Sequence, residues 1–309
     1  MATRAERLAG GLIGLLVGDA LGVPYEFHDP EDLPPAAEIE FEPPASLAWR
    51  AHRGTPPGTW SDDGAQALCL LDSLLARGQF DADDFGARLL RWYRGEYWVN
   101  GRLFDVGMTT GHAIAALQAG TPALEAGPAH EDALGNGSLM RVLPLALWHR
   151  GSDAELVADA QAQSRVTHGH PRAQVCCALY CLWARRTLQE ADDPWNAARA
   201  TLREIYARDE PAATELERFV RPDDPPEKLG GGYVVDCLRS SRLVQAAGDY
   251  EAVVKAAVAL GRDTDTTACV AGGIAGLRDG AETIPARWRQ GLCGMEIVTP
   301  LLEGLLARG

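Results

Sequence analysis

Two acidic stretches in this 309-residue sequence could do chemistry together. They are Gly58-Thr59-Trp60-Ser61-Asp62-Asp63-Gly64 and, about 200 residues later, Gly261-Arg262-Asp263-Thr264-Asp265-Thr266-Thr267. Each brings two carboxylates and a hydroxyl to the start of an apolar helix. Ala65, Leu68, Leu71, Leu74 and Leu75 follow the first at helical spacing. Ser61 stands where an N-cap belongs, and Asp62 and Asp63 fall in the first turn, where the helix dipole favours negative charge. One such stretch is an ordinary acidic helix start. Two of them, with four aspartates, hydroxyls and no Cys or His, make an all-oxygen donor set suited to Mg²⁺, Mn²⁺ or Ca²⁺ rather than zinc. If the two helix mouths meet, their like charges repel unless cations sit between them. A metal pair is the economical account.

Further polar residues punctuate the chain, each with a plain alternative. Glu26 follows Gly18-Asp19-Ala20-Leu21-Gly22 and is either an exposed loop acid or a catalytic carboxylate. Asp105, in Phe104-Asp105-Val106-Gly107, either caps the turn before Thr109 or faces a substrate. Gly135-Asn136-Gly137-Ser138-Leu139-Met140-Arg141 reads as a tight turn with Ser138 as the N-cap of the next helix. Arg141 either binds phosphate or neutralises an internal carboxylate. His168 either caps the preceding helix or touches a ligand, and His170 beside it lacks a third partner for zinc. Tyr233 is either core or a stacking residue.

The elements that must position these groups are helices. Leu8 to Val17 imitates a signal peptide, but Gly10, Gly11, Gly14 and Gly18 dilute it, and the run is too short to span a bilayer. Gly10, Gly14 and Gly18 share one face, so a retained, buried helix with a close neighbour is expected. Residues 29–58 hold seven of the 19 prolines and read as an extended loop, with a short strand over 37–42. Helices are expected over about 83–94, from Thr110, from about 153, from Pro171 to about 189, and around 212–220. Four more are expected over about 233–246, 250–260, 265–277 and 291–307. A glycine-rich segment runs from Asn100 to Gly107, and a second proline- and acid-rich one over 209–230. No βαβ series appears, so the expected fold is one all-α domain over residues 1–309.

Composition narrows the partners. The 43 acidic and 29 basic residues give a net charge of −14, which argues against a nucleic-acid or anionic-membrane surface. A small anion remains acceptable if metals and helix N-termini receive it. Seven cysteines, mostly in apolar runs, read as reduced core thiols of a cytoplasmic protein, and Cys177 with Cys181 as packing rather than a metal pair. A monomer is expected.

Taken together, these motifs are similar to those of the ADP-ribosylglycohydrolase family, in the family's order and along nearly the whole chain. Gly230 to Val235 and Ile284-Pro285 with Trp288 complete the set. The resemblance implies an all-α fold with two divalent cations, Mg²⁺ or Mn²⁺, held by Ser61, Asp62, Asp63, Asp263, Asp265 and Thr266. It implies Glu26, Asp62 and Asp105 in catalysis, Asp105 facing the leaving guanidinium in arginine-specific members. Gly137, Ser138, Met140 and His168 match ADP-ribose contacts, Tyr233 a residue near the adenine, and Arg262 a weaker substrate contact. Ser61 and Gly64 stand where the family commonly has threonine; the first keeps the ligand oxygen, and the second removes a hydroxyl behind the aspartates.

The implied function is hydrolysis of the glycosidic bond joining ADP-ribose to a protein side chain, arginine favoured, or to a small conjugate. An oxocarbenium-like transition state at the ribose needs a positioned nucleophile and a proton donor. The pyrophosphate is expected on backbone N–H groups at a helix start near Gly137-Ser138. Two other classes stay open: a non-catalytic ADP-ribose-binding protein, and a two-metal pyrophosphohydrolase of nucleotides.

Overall fold

A computed structural model describes residues 2–97, 103–225 and 230–308. In chain order the helices are α1 (Arg4–Gly22), α2 (Asp62–Arg77), α3 (Ala82–Tyr93), α4 (Met108–Gln118) and α5 (Ala123–Ala126). Next come α6 (Leu143–Trp148), α7 (Asp153–Arg165), α8 (Pro171–Leu188), α9 (Pro194–Tyr206) and α10 (Glu210–Thr214). The chain closes with α11 (Val234–Val244), α12 (Tyr250–Val258), α13 (Thr264–Asp279), α14 (Ala286–Gly291) and α15 (Met295–Leu306). Among the described residues there is no strand, only an isolated bridge between Gly135 and Tyr233. The fold is all-α, in one compact domain.

Helix α1 is the axis. It opens on a capping box, Thr3 accepting from the Glu6 N–H while the Glu6 carboxylate accepts from the Thr3 N–H. From Leu8 onward it is almost wholly buried, and its main neighbour is α13. The shared glycine face is what lets them meet. A Cβ on Gly10 would stand 2.1 Å from the Gly276 carbonyl oxygen, and one on Gly18 2.1 Å from that of Ala268. Tyr250 donates to the Gly14 carbonyl and Thr264 to that of Gly22, each at 2.8 Å. By length and composition α1 could cross a membrane, yet 94% of its apolar window is buried inside the fold. All seven cysteines are free thiols, six of them buried, and Cys177 and Cys181 pack in the core.

Four expectations need correction. No strand forms over 37–42: residues Ala36–Glu38 make a 3₁₀ turn, and the Tyr25 hydroxyl both accepts from the Glu40 N–H and donates to the Glu40 carbonyl, taking the bonds a partner strand would need. Ser138 is not an N-cap. Leu139 and Met140 N–H groups both bond to the Asn136 carbonyl, so the turn continues and α6 starts only at Leu143. The last helix begins at Met295 because Gly294 adopts φ 74°, and the separate α14 precedes it. Helix α9 was not foreseen, although Asp193 caps it, Pro194 sits in its first turn, and Trp195, Ala198, Leu202 and Tyr206 form its buried face. Around 212–220, α10 runs into a π-helical turn at Glu215–Val220. Asn100, Gly101 and Arg102 of the glycine-rich segment, and 226–229 of the second proline-rich one, lie outside the described residues.

The α1–α13 contact makes a sharp prediction. Gly18→Ala forces a methyl into the Ala268 backbone and should destabilise the protein by about 1–3 kcal/mol or more. Gly111→Ala in α4, where a Cβ meets nothing within 4 Å, should instead stabilise by about 0.5–1 kcal/mol. Urea unfolding midpoints of the two variants check the contrast.

Candidate active site

The mouth of α2 is built on a buried carboxylate. Asp19, on the inner end of α1, accepts from the Ser61 N–H at 2.9 Å and the Gly64 N–H at 2.8 Å. Ser61 in turn caps the helix by accepting from the Asp63 N–H. Fixing this first turn aims Asp62 and Asp63 into a cleft of about 280 Å³. Gly64 leaves no gap there, since a Cβ would lie 2.7 Å from Leu16 Cδ2 and 3.1 Å from the Asp19 carboxylate.

The mouth of α13 meets it from the other side. Gly22 lies against Asp265, where a Cβ would be 2.3 Å from the Asp265 Cα. Asn136 donates to Asp263 at 2.7 Å, while its own N–H bonds to the Gly232 carbonyl. Thr266 Oγ1 reaches Asp63 Oδ1 at 3.5 Å, joining the two acidic motifs. Asp263, Asp265 and Glu26 each place a carboxylate oxygen within 4.8 Å of the other two. Asp63 Oδ2 and Asp265 Oδ2 are buried without a hydrogen-bond partner. Buried polar atoms are rarely left so, and two unpartnered anionic oxygens between convergent helix mouths fit hard cations.

Glu26 sits on a clamped loop. The Phe27 N–H bonds to the Arg262 carbonyl at 2.7 Å and the Arg262 N–H to the His28 carbonyl at 2.6 Å. Its Oε2 lies 2.5 Å from His52 Nε2, which is also 3.8 Å from Asp105 Oδ2. The His52 ring packs between Phe27 and Phe104, with centroids 5.6 and 5.1 Å away. Asp105 and His52 both have left-handed backbones, φ 57° and 47°, uncommon outside glycine, although Asp and His tolerate that region better than most residue types. His52 had no sequence signal beyond lying in a proline-rich loop.

His168 lines the cleft from the far wall. Its ring lies on Gly137, where a Cβ would meet Cε1 at 2.8 Å, so this turn needs glycine. The Thr167 hydroxyl holds its Nδ1 at 2.8 Å. His170 caps α8, accepting from the Arg172 N–H, which accounts for it without zinc. Arg141 is fully buried and does not line the cleft: it bonds to Gln163 and to Gln66 Oε1, and Gln66 donates to Asp62 Oδ2 at 2.9 Å.

The structure thus brings Glu26, Asp62, Asp63, Asp105, Gly137, Met140, His168, Asp263 and Thr266 to one cleft, with Ser61 and Asp265 in contact just behind. Three residues lie elsewhere. The Ser138 hydroxyl points inward to Ser164 and Cys177. Tyr233 is half-buried with its hydroxyl 3.3 Å from Arg172. Arg262 is mostly exposed, its side chain 3.6 Å from Asp29, and lines an adjoining hollow whose wall includes Glu26 and Asp263 of the cleft, with Phe27 and Gly232. Asn136, Thr109, Thr110 and Asp132 join the lining unannounced; only Asn136 had a signal, its place between two glycines.

Charge crowding dominates the electrostatics. Burial, then Asp105, Asp263 and Asp63, push the Glu26 carboxyl up to about 11. Burial pushes Asp19 up to about 7 against its three hydrogen bonds. Burial and neighbouring carboxylates likewise raise Asp62, Asp63 and Asp265. His168 is pushed down to about 3 by burial and Arg141, so its ring is neutral.

An all-α fold with paired aspartates at two helix mouths, a neighbouring glutamate and a Gly-Asn-Gly wall defines a class that comparison with known proteins identifies. The ADP-ribosylglycohydrolase family model matches residues 1–308. The chain is 31% identical over 306 residues to an ADP-ribosylarginine hydrolase Tri1 of Pseudomonas putida (strain GB-1), covering 98% of this chain and 78% of that one. It is 28% identical to the ADP-ribosyl-[dinitrogen reductase] glycohydrolase of Rhodospirillum rubrum, covering 92% and 89%. A solved structure, an ADP-ribosylglycohydrolase-related protein complex, superposes with a TM-score of 0.78 at 32% identity, covering 99% and 98%. The chain belongs to the ADP-ribosylglycohydrolase family, hydrolases of glycosidic bonds to ADP-ribose.

The raised carboxyls set a pH dependence. Between the ordinary carboxylate range, about 4, and the raised values, the metal-free folded chain holds more protons than the unfolded one, so its stability falls as pH rises. In chelator, the melting temperature should drop steadily from pH 5 to pH 8. Mg²⁺ or Mn²⁺ should restore it most at pH 8. A melting temperature that rises across this window in chelator contradicts the crowding.

Proposed function

We propose that the cleft hydrolyses the glycosidic bond joining ADP-ribose to an arginine side chain, with activity toward small ADP-ribose conjugates, using two divalent cations. The observation that carries this reading is the partly exposed Asp105 carboxylate at the cleft wall, beside Glu26 and His52. A guanidinium is planar and permanently charged, so a carboxylate is its natural partner. A seryl oxygen carries no charge and gains little from one. The similarity to an ADP-ribosylarginine hydrolase supports the same acceptor.

Ser61, Asp62, Asp63, Asp263, Asp265 and Thr266 would hold the cations, Mg²⁺ or Mn²⁺. When bound, such cations orient ribose hydroxyls and acidify a coordinated water. Glu26, backed by the His52 ring, moves a proton at Oε2. Asp105 receives the leaving guanidinium. Gly137, Met140 and neutral His168 form the wall for the ADP-ribose, with the backbone at Ser138 and the ring of Tyr233 beyond. The turn at 135–140, rather than a helix start, faces the pyrophosphate.

Glu26→Gln keeps volume but loses the ionisable group. It should lower kcat by ~10²–10⁴-fold while metal affinity, followed by calorimetry, stays within a few-fold. Near-normal kcat at saturating substrate removes Glu26 from the chemistry.

The acceptor is tested with Asp105→Asn on two substrates. Arginine-linked turnover should fall at least tenfold more than turnover of O-acetyl-ADP-ribose. Equal losses on both would point to a role on the water instead. Wild-type protein that cleaves serine-linked but not arginine-linked substrate defeats the arginine reading.

A further inference from the structure

A second hollow lies at the opposite end of the bundle. Helices α1 and α8 both run between the two places. Asp19 and Gly22 end α1 at the cleft, while Arg4 begins it, and α8 starts just after His168 and ends at Leu188. Helices of 19 and 18 residues put about 27–28 Å between the ends. The hollow, about 160 Å³, is lined by Arg4, His149, Arg150 and Arg185 with Ala146, Gly151, Leu188 and Gln189. That is space for about five waters. Three arginines and a histidine line it, and among the described residues no carboxylate does, in a chain of net charge −14.

The nearest acids are already engaged. Asp153 is shared by Arg185 and Arg186. Glu155 accepts from the Ser152 N–H and hydroxyl, and Asp159 lies 3.6 Å from His149 Nε2. Arg185 is buried and fixed, donating to the Gly151 carbonyl, to Asp153 and to His149 Nδ1. Arg150 donates to the Leu147 carbonyl at 2.7 Å. Arg308 lies nearby, its guanidinium 4.6 Å over the Trp148 ring. Burial and then Arg4, Arg308 and Arg185 hold the Arg150 guanidinium below its usual range, the mark of cations crowding one another.

Helix C-termini account for part of this, since carbonyl ends attract cations. They do not account for arginines from three separate segments converging on one concave space. We propose that this hollow binds a phosphate-class oxyanion, either free phosphate or the terminus of a phosphomonoester. Guanidinium forks match tetrahedral oxyanions in geometry as well as charge. The site is independent of the reaction assigned to the cleft. At about 8 Å screening length in physiological salt, neither centre feels the other's charge directly.

The test is isothermal titration of the full chain with potassium phosphate and, separately, with glycerol phosphate, each at an ionic strength held constant with KCl. The variants are Arg150→Gln and Arg4→Gln/Arg150→Gln. Wild type should bind one equivalent that the double variant binds at least tenfold more weakly, while hydrolytic kcat and the circular dichroism spectrum stay unchanged. Should the double variant fold poorly, Arg150→Gln alone should weaken binding about threefold or more. Binding of glycerol phosphate with the same arginine dependence names an ester terminus as the occupant; arginine-dependent binding of phosphate alone names the free ion. No saturable binding by wild type, or equal binding by wild type and variants, which would place the anion in the cleft, overturns the proposal.

Discussion

Backbone-to-backbone contact between α1 and α13 is the constraint on which the rest of the molecule depends. Gly10, Gly14 and Gly18 clear the close-contact face of α1, and Gly272 and Gly276 do the same on α13. The helices therefore meet at a separation no larger residue allows. Because Asp19 stands in the last turn of α1, Glu26 follows it, and Asp263 and Asp265 open α13, that separation also sets the spacing of the carboxylates. The packing of the core and the geometry of the cleft are one fact.

That geometry has an electrostatic cost, met locally. Asp19 spends its negative charge on the N–H groups of Ser61 and Gly64, so it braces α2 without facing the cleft. Arg141 reaches the acidic cluster only through Gln66, which spreads its charge without a direct ion pair to Asp62. A direct pair would hold Asp62 away from any cation. The carboxylates that remain, two of their oxygens lacking partners, crowd negative charge into one buried place.

Much of this was legible in the residues. The helical spacing after Asp63, the N-cap at Ser61 and the glycine face of α1 each translate directly into local geometry, and each is found as expected. So does the convergence of the two Asp motifs. What the sequence hid depends on loops. His52 reaches Glu26 only because the Ala51 N–H bonds to the Pro24 carbonyl and Trp49 stacks on His28, contacts that no periodicity encodes. Ser138 was misread because a hydroxyl before an apolar run normally caps a helix, whereas here the turn continues and buries it. The false strand at 37–42 failed for a related reason: a tyrosine hydroxyl, invisible to alternation patterns, took the backbone's bonds.

The pairing of α1 with α13 also bears on how the protein is made. The Thr264 hydroxyl meets the Gly22 carbonyl across 242 residues of chain. At about 5–20 residues per second, a ribosome needs about 10–50 s to span that interval. For that time α1, apolar enough to resemble a membrane segment, lacks the partner against which its glycine face closes. Neighbours made earlier, such as α2 and α6, cover only part of it. The nascent chain thus carries a sticky leading helix until nearly all of the domain has been synthesised, which makes it a natural client for chaperones that hold apolar segments. The same late-made helix brings Asp263 and Asp265, so α1 finds its main partner and the cleft gains its second acidic pair from one segment of chain.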